Sequence, residues 1–336
     1  MKKAYAQAGV DVDLGNSVKK GIQAMVRSTH GPEVLSGIGG FGGLFQPDCR
    51  GMKNPVLVAS TDGVGTKLKL AFATGRHDTV GQDLVNHCIN DIAVTGARPL
   101  FFLDYLASAE LDPVIFRAIL SGFAKACKAG KCALIGGETA QMPGMYRTGE
   151  YDLAGTIVGI VDRSRILDGS KVRPGDKIIG LPSNGLHTNG YSLARQVLFD
   201  KMGLKPTSRL PEIKGNLADE LMKVHRNYQP LMESLPHGLI KAAAHITGGG
   251  LIDNLPRVLP EGCEATIRRD AWRVPAIFRL IEAAGGVDPD EMYQVFNMGI
   301  GMVLIVSSRR VDQALKLTKG SVIGEIAAGR NRTVLV

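Results

Sequence analysis

Two short apolar runs, Pro55-Val56-Leu57-Val58-Ala59 and Cys132-Ala133-Leu134-Ile135, each stop at a glycine-spaced polar turn that carries a carboxylate. The first ends in Ser60-Thr61-Asp62-Gly63-Val64-Gly65-Thr66-Lys67 and the second in Gly136-Gly137-Glu138-Thr139. Short apolar runs between turn signals read as buried strands. In α/β sheets the strand ends are where ligands collect, so the pattern predicts strands that deliver Asp62 and Glu138 to a site. The first turn also holds two hydroxyls, two glycines and a lysine, enough to hold a cation and an anionic group against backbone. An ordinary strand-to-helix turn would use the same residue types, so the turn alone decides nothing.

Between the two runs, the spacing predicts a helix from Asp78 to about residue 95. Val80, Leu84, Val85, Cys88, Ile89 and Ile92 form its apolar side. The opposite side carries Asp83, Asn86, His87, Asn90 and Asp91 at i, i+3, i+4, i+7 and i+8. A polar stripe on a helix is solvated by default, but this one lacks Lys, Arg and Glu, the usual solvent-face residues. Its short acids and amides are types that position ligands. Asp91 is the residue expected to face a metal, and His87 is read as structural.

Upstream, a first helix is expected from a cap at Asn16 to the stop at His30-Gly31-Pro32. Gly37-Ile38-Gly39-Gly40-Phe41-Gly42-Gly43 then packs five glycines into seven residues. It formally matches GxGxxG, yet no strand precedes it and Leu44-Phe45-Gln46-Pro47-Asp48 cannot open a helix, so it is no dinucleotide fingerprint. What survives is a loop whose backbone N–H groups could wrap phosphates.

The turn-rich stretch 162–176 marks a domain boundary, dividing the chain into 1–168 and 169–336. Beyond it, Ser183-Asn184-Gly185-Leu186-His187-Thr188-Asn189-Gly190 feeds a helix over 191–201, and Thr247-Gly248-Gly249-Gly250 precedes another short helix. Both are candidate phosphate turns. Helices are expected over about 217–234, 238–245, 275–284 and 310–318, with strands over 177–181, 264–268, 301–307 and 322–327. The fold class is mixed α/β in two domains, the second a layered α/β unit.

The 336 residues suffice for two cores. With 44% hydrophobic and 21% charged residues the chain reads as globular. No apolar run approaches a membrane span, and the basic start Met1-Lys2-Lys3 leads into no signal-like stretch, so a cytoplasmic protein is expected. The five cysteines are scattered and make no CxxC pair, which suits free thiols in a reducing compartment. The net charge of +8 is spread along the chain without aromatic interleaving, which argues against nucleic acid and for small anionic substrates. Acidic stations would repel a nucleotide unless Mg²⁺ bridged them, so the residues imply ATP, Mg²⁺ and a second phosphorylated small molecule. Asp62, Asp91 and Glu138 are the candidate metal ligands, and Lys67 the candidate neutraliser of a transferring phosphoryl group.

Several further segments carry a resemblance: Tyr5-Ala6-Gln7-Ala8-Gly9-Val10-Asp11, Phe101-Phe102-Leu103-Asp104-Tyr105, Met142-Pro143-Gly144-Met145-Tyr146, Gly185-Leu186-His187-Thr188-Asn189-Gly190-Tyr191-Ser192-Leu193, His245-Ile246-Thr247-Gly248-Gly249-Gly250 and Phe296-Asn297-Met298-Gly299-Ile300-Gly301-Met302. With the glycine loop and both acidic turns they resemble the phosphoribosylformylglycinamidine cyclo-ligase family over nearly the whole chain. The resemblance implies ATP-dependent closure of formylglycinamidine ribonucleotide to aminoimidazole ribonucleotide through a phosphorylated amide, with release of ADP and phosphate, in purine biosynthesis. It implies a homodimer whose N-terminal sheets join in a barrel, with the site lined by both subunits. On this reading Gly39, Gly40, Phe41, Gly42, Gly43, Gly63, Gly65 and Thr66 face ATP, and Lys67, Asp62 and His187 act in catalysis. Asn184, Thr188, Asn189, Gly248, Gly249 and Gly250 face the ribonucleotide. Two positions depart from the family: Gln141 stands where many members have Glu, and Gln23 where some have Lys. Thiamine-monophosphate kinase, selenophosphate synthetase, the hydrogenase-maturation dehydratase and the larger formylglycinamidine ribonucleotide synthetase are the competing relatives. A nucleotide-binding or RNA-binding protein without turnover is the reading from another class.

Overall fold

A computed structural model describes residues 4–37 and 39–336. The chain builds two sheets, each with its own helices. After the short α1 (Ala4–Gln7), α2 runs over Val12–Arg27. Asp11, not Asn16, caps it, its carboxylate accepting from Leu14 N at 2.9 Å. Gln141 clamps the same turn with both ends of its amide: Asp11 N donates to Oε1 at 3.2 Å and Nε2 donates to Asp11 O at 3.1 Å. A glutamate there would lack the donor, which gives the departure at 141 a structural reason.

The first sheet holds β1 (Pro55–Gly63), β2 (Arg98–Ser108), β3 (Ala133–Gln141) and β4 (Tyr151–Asp162) in the order β1-β4-β2-β3. Between them come α3 (Leu68–Thr74), α4 (Asp78–Ala93) and α5 (Pro113–Ala129). One face packs on α4 and α5 through buried Phe102, Leu106, Leu153 and Ile157. The two helices cross closely because both carry a glycine at the contact. A Cβ on Gly81 would lie 2.4 Å from Ile119 O, and one on Gly122 2.5 Å from Asp78 O. Among the described residues the other face is left open along β1, where Leu57, Ala59 and Thr61 are exposed, Leu57 at 64%.

The second sheet orders β10-β7-β9-β5-β8-β6. Its strands are β5 (Lys177–Pro182), β6 (Ile240–His245), β7 (Cys263–Ile267), β8 (Ile300–Val306), β9 (Ser321–Ala328) and β10 (Thr333–Leu335). Strand β8 is buried along its whole length between β5 and β6, as its unbroken apolar run requires. Its helices are α6 (Tyr191–Arg195), which runs on as a π-type turn over Gln196–Lys201, α7 (Leu217–Leu221), α8 (Gln229–Ser234), α9 (Gly250–Asn254), α10 (Ala276–Gly285), α11 (Pro289–Val295) and α12 (Val311–Thr318).

Two expected helices are not there. The segment 217–234 is split into α7 and α8 by an irregular stretch over residues 223–228, and 238–245 is a turn followed by strand β6. Alanine-rich Ala242-Ala243-Ala244 favours a helix locally, but pairing with β8 buries it and tertiary context wins.

The domains meet along α4. Lys67 and Asp83 are both fully buried and form a 2.7 Å ion pair, and Lys67 Nζ also donates to Lys223 O at 2.7 Å. Burial lowers the lysine and raises the acid, and the contact opposes both. Lys67→Met would leave the Asp83 carboxyl without its cation. It should cost about 3–5 kcal/mol in denaturant unfolding, and a Lys67→Met/Asp83→Asn double variant, which removes the charge but keeps an acceptor for His225 N, should recover much of that. A single variant as stable as the parent would contradict a structural role for Lys67.

Candidate functional site

Asp62 and Asp91 come together because β1 lies on α4. Ser60 and Asp62 share the helix-facing side of the strand, and Ser60 Oγ donates to Asp91 Oδ2 at 3.1 Å. His87 Nε2 lies 2.8 Å from Asp62 Oδ2 and 3.8 Å from Asp91 Oδ2. Both carboxylates keep partial exposure, 38% and 25% for the side chains, so one edge of the pair is open and the other rests on buried imidazole.

Behind them, four of the seven histidines meet at the domain junction. His87 Nδ1 is 2.8 Å from Thr188 Oγ1, which is 3.3 Å from His225 Nδ1. His225 Nε2 is 2.9 Å from His245 Nε2, and His245 Nδ1 is 2.7 Å from Asp91 Oδ1. A continuous hydrogen-bond chain thus leads from Asp62 to Asp91 through three imidazoles and a hydroxyl.

Its protons can be placed from one end. The Asp91 carboxylate only accepts, so His245 carries its proton on Nδ1. Burial lowers the pKa of His245, which is therefore neutral with Nε2 as acceptor. His225 must then donate from Nε2. Burial pushes it well down too, so its Nδ1 accepts from the Thr188 hydroxyl. Thr188 Oγ1 is left to accept from His87 Nδ1–H and, at 3.4 Å, from Asn189 Nδ2. His87 donates at both nitrogens and is an imidazolium. The energetics agree: burial disfavours its charge, but the bond to Asp62 and the charges of Asp91 and Asp62 outweigh burial and raise its pKa. Burial likewise raises both carboxyls, and their histidine partners more than offset it.

Several expectations change. Lys67 points into the domain junction, fully buried, and from there does not face a phosphoryl group. His187 is 1% exposed, stacked on His225 with ring centroids 4.1 Å apart, and burial pushes its pKa well down. It adopts φ +62°, an unusual conformation for a residue with a side chain, and does not reach an opening. The Thr188 hydroxyl is saturated by its three partners. Glu138 does not join Asp62 and Asp91. The register runs Gly63–Ala154–Tyr105–Glu138, which puts it three strands away, ~14 Å at ordinary strand spacing. There it lines a cavity of about 690 Å³ with Gly136, Gly137, Thr139, Asp104 and the loop residues Gly37 and Gly39 to Gly43. Ile38 lies outside the described residues, and Phe41 is fully exposed. Burial raises Asp104 to about 7.

Other expected residues are brought together. Thr66 Oγ1 meets Ser192 Oγ at 3.0 Å across the domains, beside Gly63 and Gly65. The two candidate phosphate turns adjoin, since a Cβ on Gly248 would sit 3.3 Å from Asn189 Oδ1. Gly249 and Gly250 both have positive φ, and Gly250 packs so tightly that a Cβ would lie 1.9 Å from Tyr293 O. Exposed Asn184 donates to Val224 O at 2.7 Å. His225 and His245, which sequence reasoning placed inside helices, are the members of the network it missed; His245 lies on β6, and His225 in the stretch before α8. The signal available for His225 was Asn227 and Pro230, which interrupt a helix at that point.

The donor set fits a hard cation: two partly exposed carboxylates supply oxygen ligands, while the nitrogens of His87, His225 and His245 behind them are committed within the hydrogen-bond chain. The protonation pattern can be checked by ¹⁵N NMR. His87 should titrate above the ordinary histidine value of 6.5, and Asp62→Asn should lower it. A raised histidine pKa stabilises the fold below that value and the effect fades as pH rises through the folded one. His87→Gln should therefore lose more thermal stability below pH 6.5 than in alkaline solution. A His87 that titrates below 6.5 would contradict the assignment.

Residues 48–161 match the AIR synthase related protein N-terminal domain, and residues 173–336 match its C-terminal domain. The chain is 51% identical to phosphoribosylformylglycinamidine cyclo-ligase of Trichlorobacter lovleyi, across 99% of this chain and 97% of that protein. It is 53% identical to the protein of the same name from Geobacter metallireducens, across 96% and 94%. Among solved structures, thiamine-monophosphate kinase from Stenotrophomonas maltophilia superposes with a TM-score of 0.68 at 20% identity, covering 94% of this chain and 95% of that one. The hydrogenase maturation protein HypE in complex with ATP gives 0.66 at 19% identity, covering 94% and 90%. At those identities the structures speak for the fold, whereas identity above half over nearly the full length speaks for the family. With its paired acids, its glycine loop and both domains in place, the chain belongs to the phosphoribosylformylglycinamidine cyclo-ligase family.

Proposed function

We propose that the protein closes the imidazole ring of aminoimidazole ribonucleotide from formylglycinamidine ribonucleotide, with ATP converted to ADP and phosphate. The observation that carries this reading is the full-length identity to relatives of that one name, in a chain that keeps the acid pair. The formyl amide oxygen attacks the γ-phosphorus of ATP and expels ADP. The amidine nitrogen then attacks the activated carbon, the C–N bond forms, and the oxygen leaves with the phosphate. An amide oxygen is a poor leaving group until it carries phosphate, which is why ATP is needed.

Asp62 and Asp91 would hold Mg²⁺, whose charge offsets that of the nucleotide phosphates when bound. His87 fixes the Asp62 carboxylate from behind, and His245 and Ser60 fix Asp91. Gly63, Gly65 and Thr66 lie at the same edge and form the near wall of the ATP site. Asn184, Asn189 and the turn Gly248 to Gly250 would take the ribonucleotide. Thr188 serves the site through the hydrogen-bond chain, and His187 by stacking on His225, which leaves direct proton transfer by His187 unsupported.

Within one chain, the glycine loop with Glu138 and the acid pair stand at opposite edges of the first sheet. A homodimer, with the uncovered sheet faces of two copies packed together, brings one chain's loop and Glu138 to the other's acids. The exposed Leu57 and its open face support this arrangement. Asp62→Asn should lower kcat by about 10²–10³ or more while the protein stays folded, as for loss of one preorganised electrostatic group. Leu57→Asp should give monomers by light scattering and abolish turnover. The reading as a whole is tested by stoichiometric ADP release that requires formylglycinamidine ribonucleotide. Turnover driven by thiamine phosphate or selenide instead would overturn it.

A further inference from the structure

We propose that His225 is a positioning residue for the acid pair, a single imidazole through which the second domain orients both Asp62 and Asp91. The inference rests on the reading of that pair as the cation and phosphate site. His225 touches neither acid. Its Nε2 bonds to His245, which holds Asp91, and its Nδ1 bonds to Thr188, which leads through His87 to Asp62. It is the middle one of the chain's three imidazoles, and both its ring nitrogens are spent on the chain.

Three features fix that imidazole in space. Its backbone is clamped to α4: His225 N donates to Asp83 Oδ1 at 2.7 Å, and Asn86 Nδ2 donates to His225 O at 2.8 Å. Its ring plane is set by the stack on His187, at 23° between planes. Its surroundings are closed, at 1% exposure, so water cannot substitute for either partner. A ring held at backbone, plane and both nitrogens leaves its neighbours one geometry.

The cluster of His187, His225 and His245 resembles a metal site by proximity, and the geometry argues otherwise. Imidazole lone pairs lie in the ring plane. Two rings stacked at 4.1 Å in nearly parallel planes cannot aim them at one ion. His225 Nε2 and His245 Nε2 are also bonded to each other. The histidines are therefore a scaffold for the acids. Groups in this relation to metal-holding carboxylates typically change metal affinity or activity 10–100-fold when removed.

The test uses His225→Phe, which keeps the ring and loses both bonds, beside His225→Gln and His225→Asn. The glutamine amide reaches the Nε2 position and the asparagine amide the Nδ1 position, so each restores one link. With a non-hydrolysable ATP analogue present, Mn²⁺ binding followed by EPR should weaken about tenfold or more in His225→Phe, with partial recovery in Gln and Asn. The kcat per folded molecule, with the folded fraction taken from circular dichroism, should fall by a similar factor while KM for the ribonucleotide stays within about twofold; a fall that disappears on that normalisation would be loss of fold and would overturn the proposal. In ¹⁵N spectra the His245 Nε2 signal should move to that of an unbonded acceptor in Phe and Asn and stay in Gln. If His225→Phe does not fold, the Gln and Asn variants carry the test. Unchanged Mn²⁺ affinity, kcat and His245 shift in the folded variants would overturn the proposal. Asp62→Asn separates the two readings: if it binds Mn²⁺ like the parent, the cation reading fails, and the His245 shift alone then decides the role of His225.

Discussion

The structure depends on the docking of the irregular stretch over residues 223–228 against the polar side of α4. Asp83, Asn86 and Asn90 receive the main chain of that stretch, at His225, Arg226 and Tyr228, through bonds of 2.7–2.9 Å. A main chain in that position has no sheet partner, and every buried N–H and C=O needs one. Side chains of α4 supply the partners that a neighbouring strand would otherwise supply. This is why the stripe consists of short acids and amides: a Lys or Glu is too long to bond backbone at that distance. The apolar side of the same helix packs on the first sheet, so α4 is buried on both sides and fixes the two domains against each other.

The site follows from that docking. His87 and Asp91 belong to the same polar side, one turn apart, and the docked stretch brings His225 against them by way of Thr188 and His245. The carboxylates that face outward are thereby held from within, and the proton positions propagate from Asp91 to His87 without a choice at any link. The arrangement places an imidazolium beside Asp62 and Asp91, a positive charge that keeps two neighbouring acids ionised.

Much of this was legible in the sequence. The apolar runs ending at Asp62 and Glu138 are strands, and the lack of Lys, Arg and Glu on the polar side of α4 correctly marked it as unusual. What the stripe binds was not legible. The residues point at a ligand or at a protein main chain with the same chemistry, and only the packed domains distinguish the two. The stretch 223–228 escaped because α7 and α8 on either side lend it a helical pattern, and β6 escaped because alanines carry no strand preference of their own. Lys67 stood in a phosphate-like turn, but which way a lysine at such a turn points is decided by Asp83, sixteen residues on. The separation of Glu138 from Asp62 is a matter of strand order, which periodicity does not encode.

The central claim is that the stretch 223–228 is a structural element held by α4. Native-state hydrogen exchange at the amides of His225 and Tyr228 tests it most directly, because those protons bond to the side chains of Asp83 and Asn90 on α4 and not to the main chain of a strand or helix. The account predicts that both exchange as slowly as the amides of β8, only through global unfolding. Exchange at the rate of an exposed loop would contradict it.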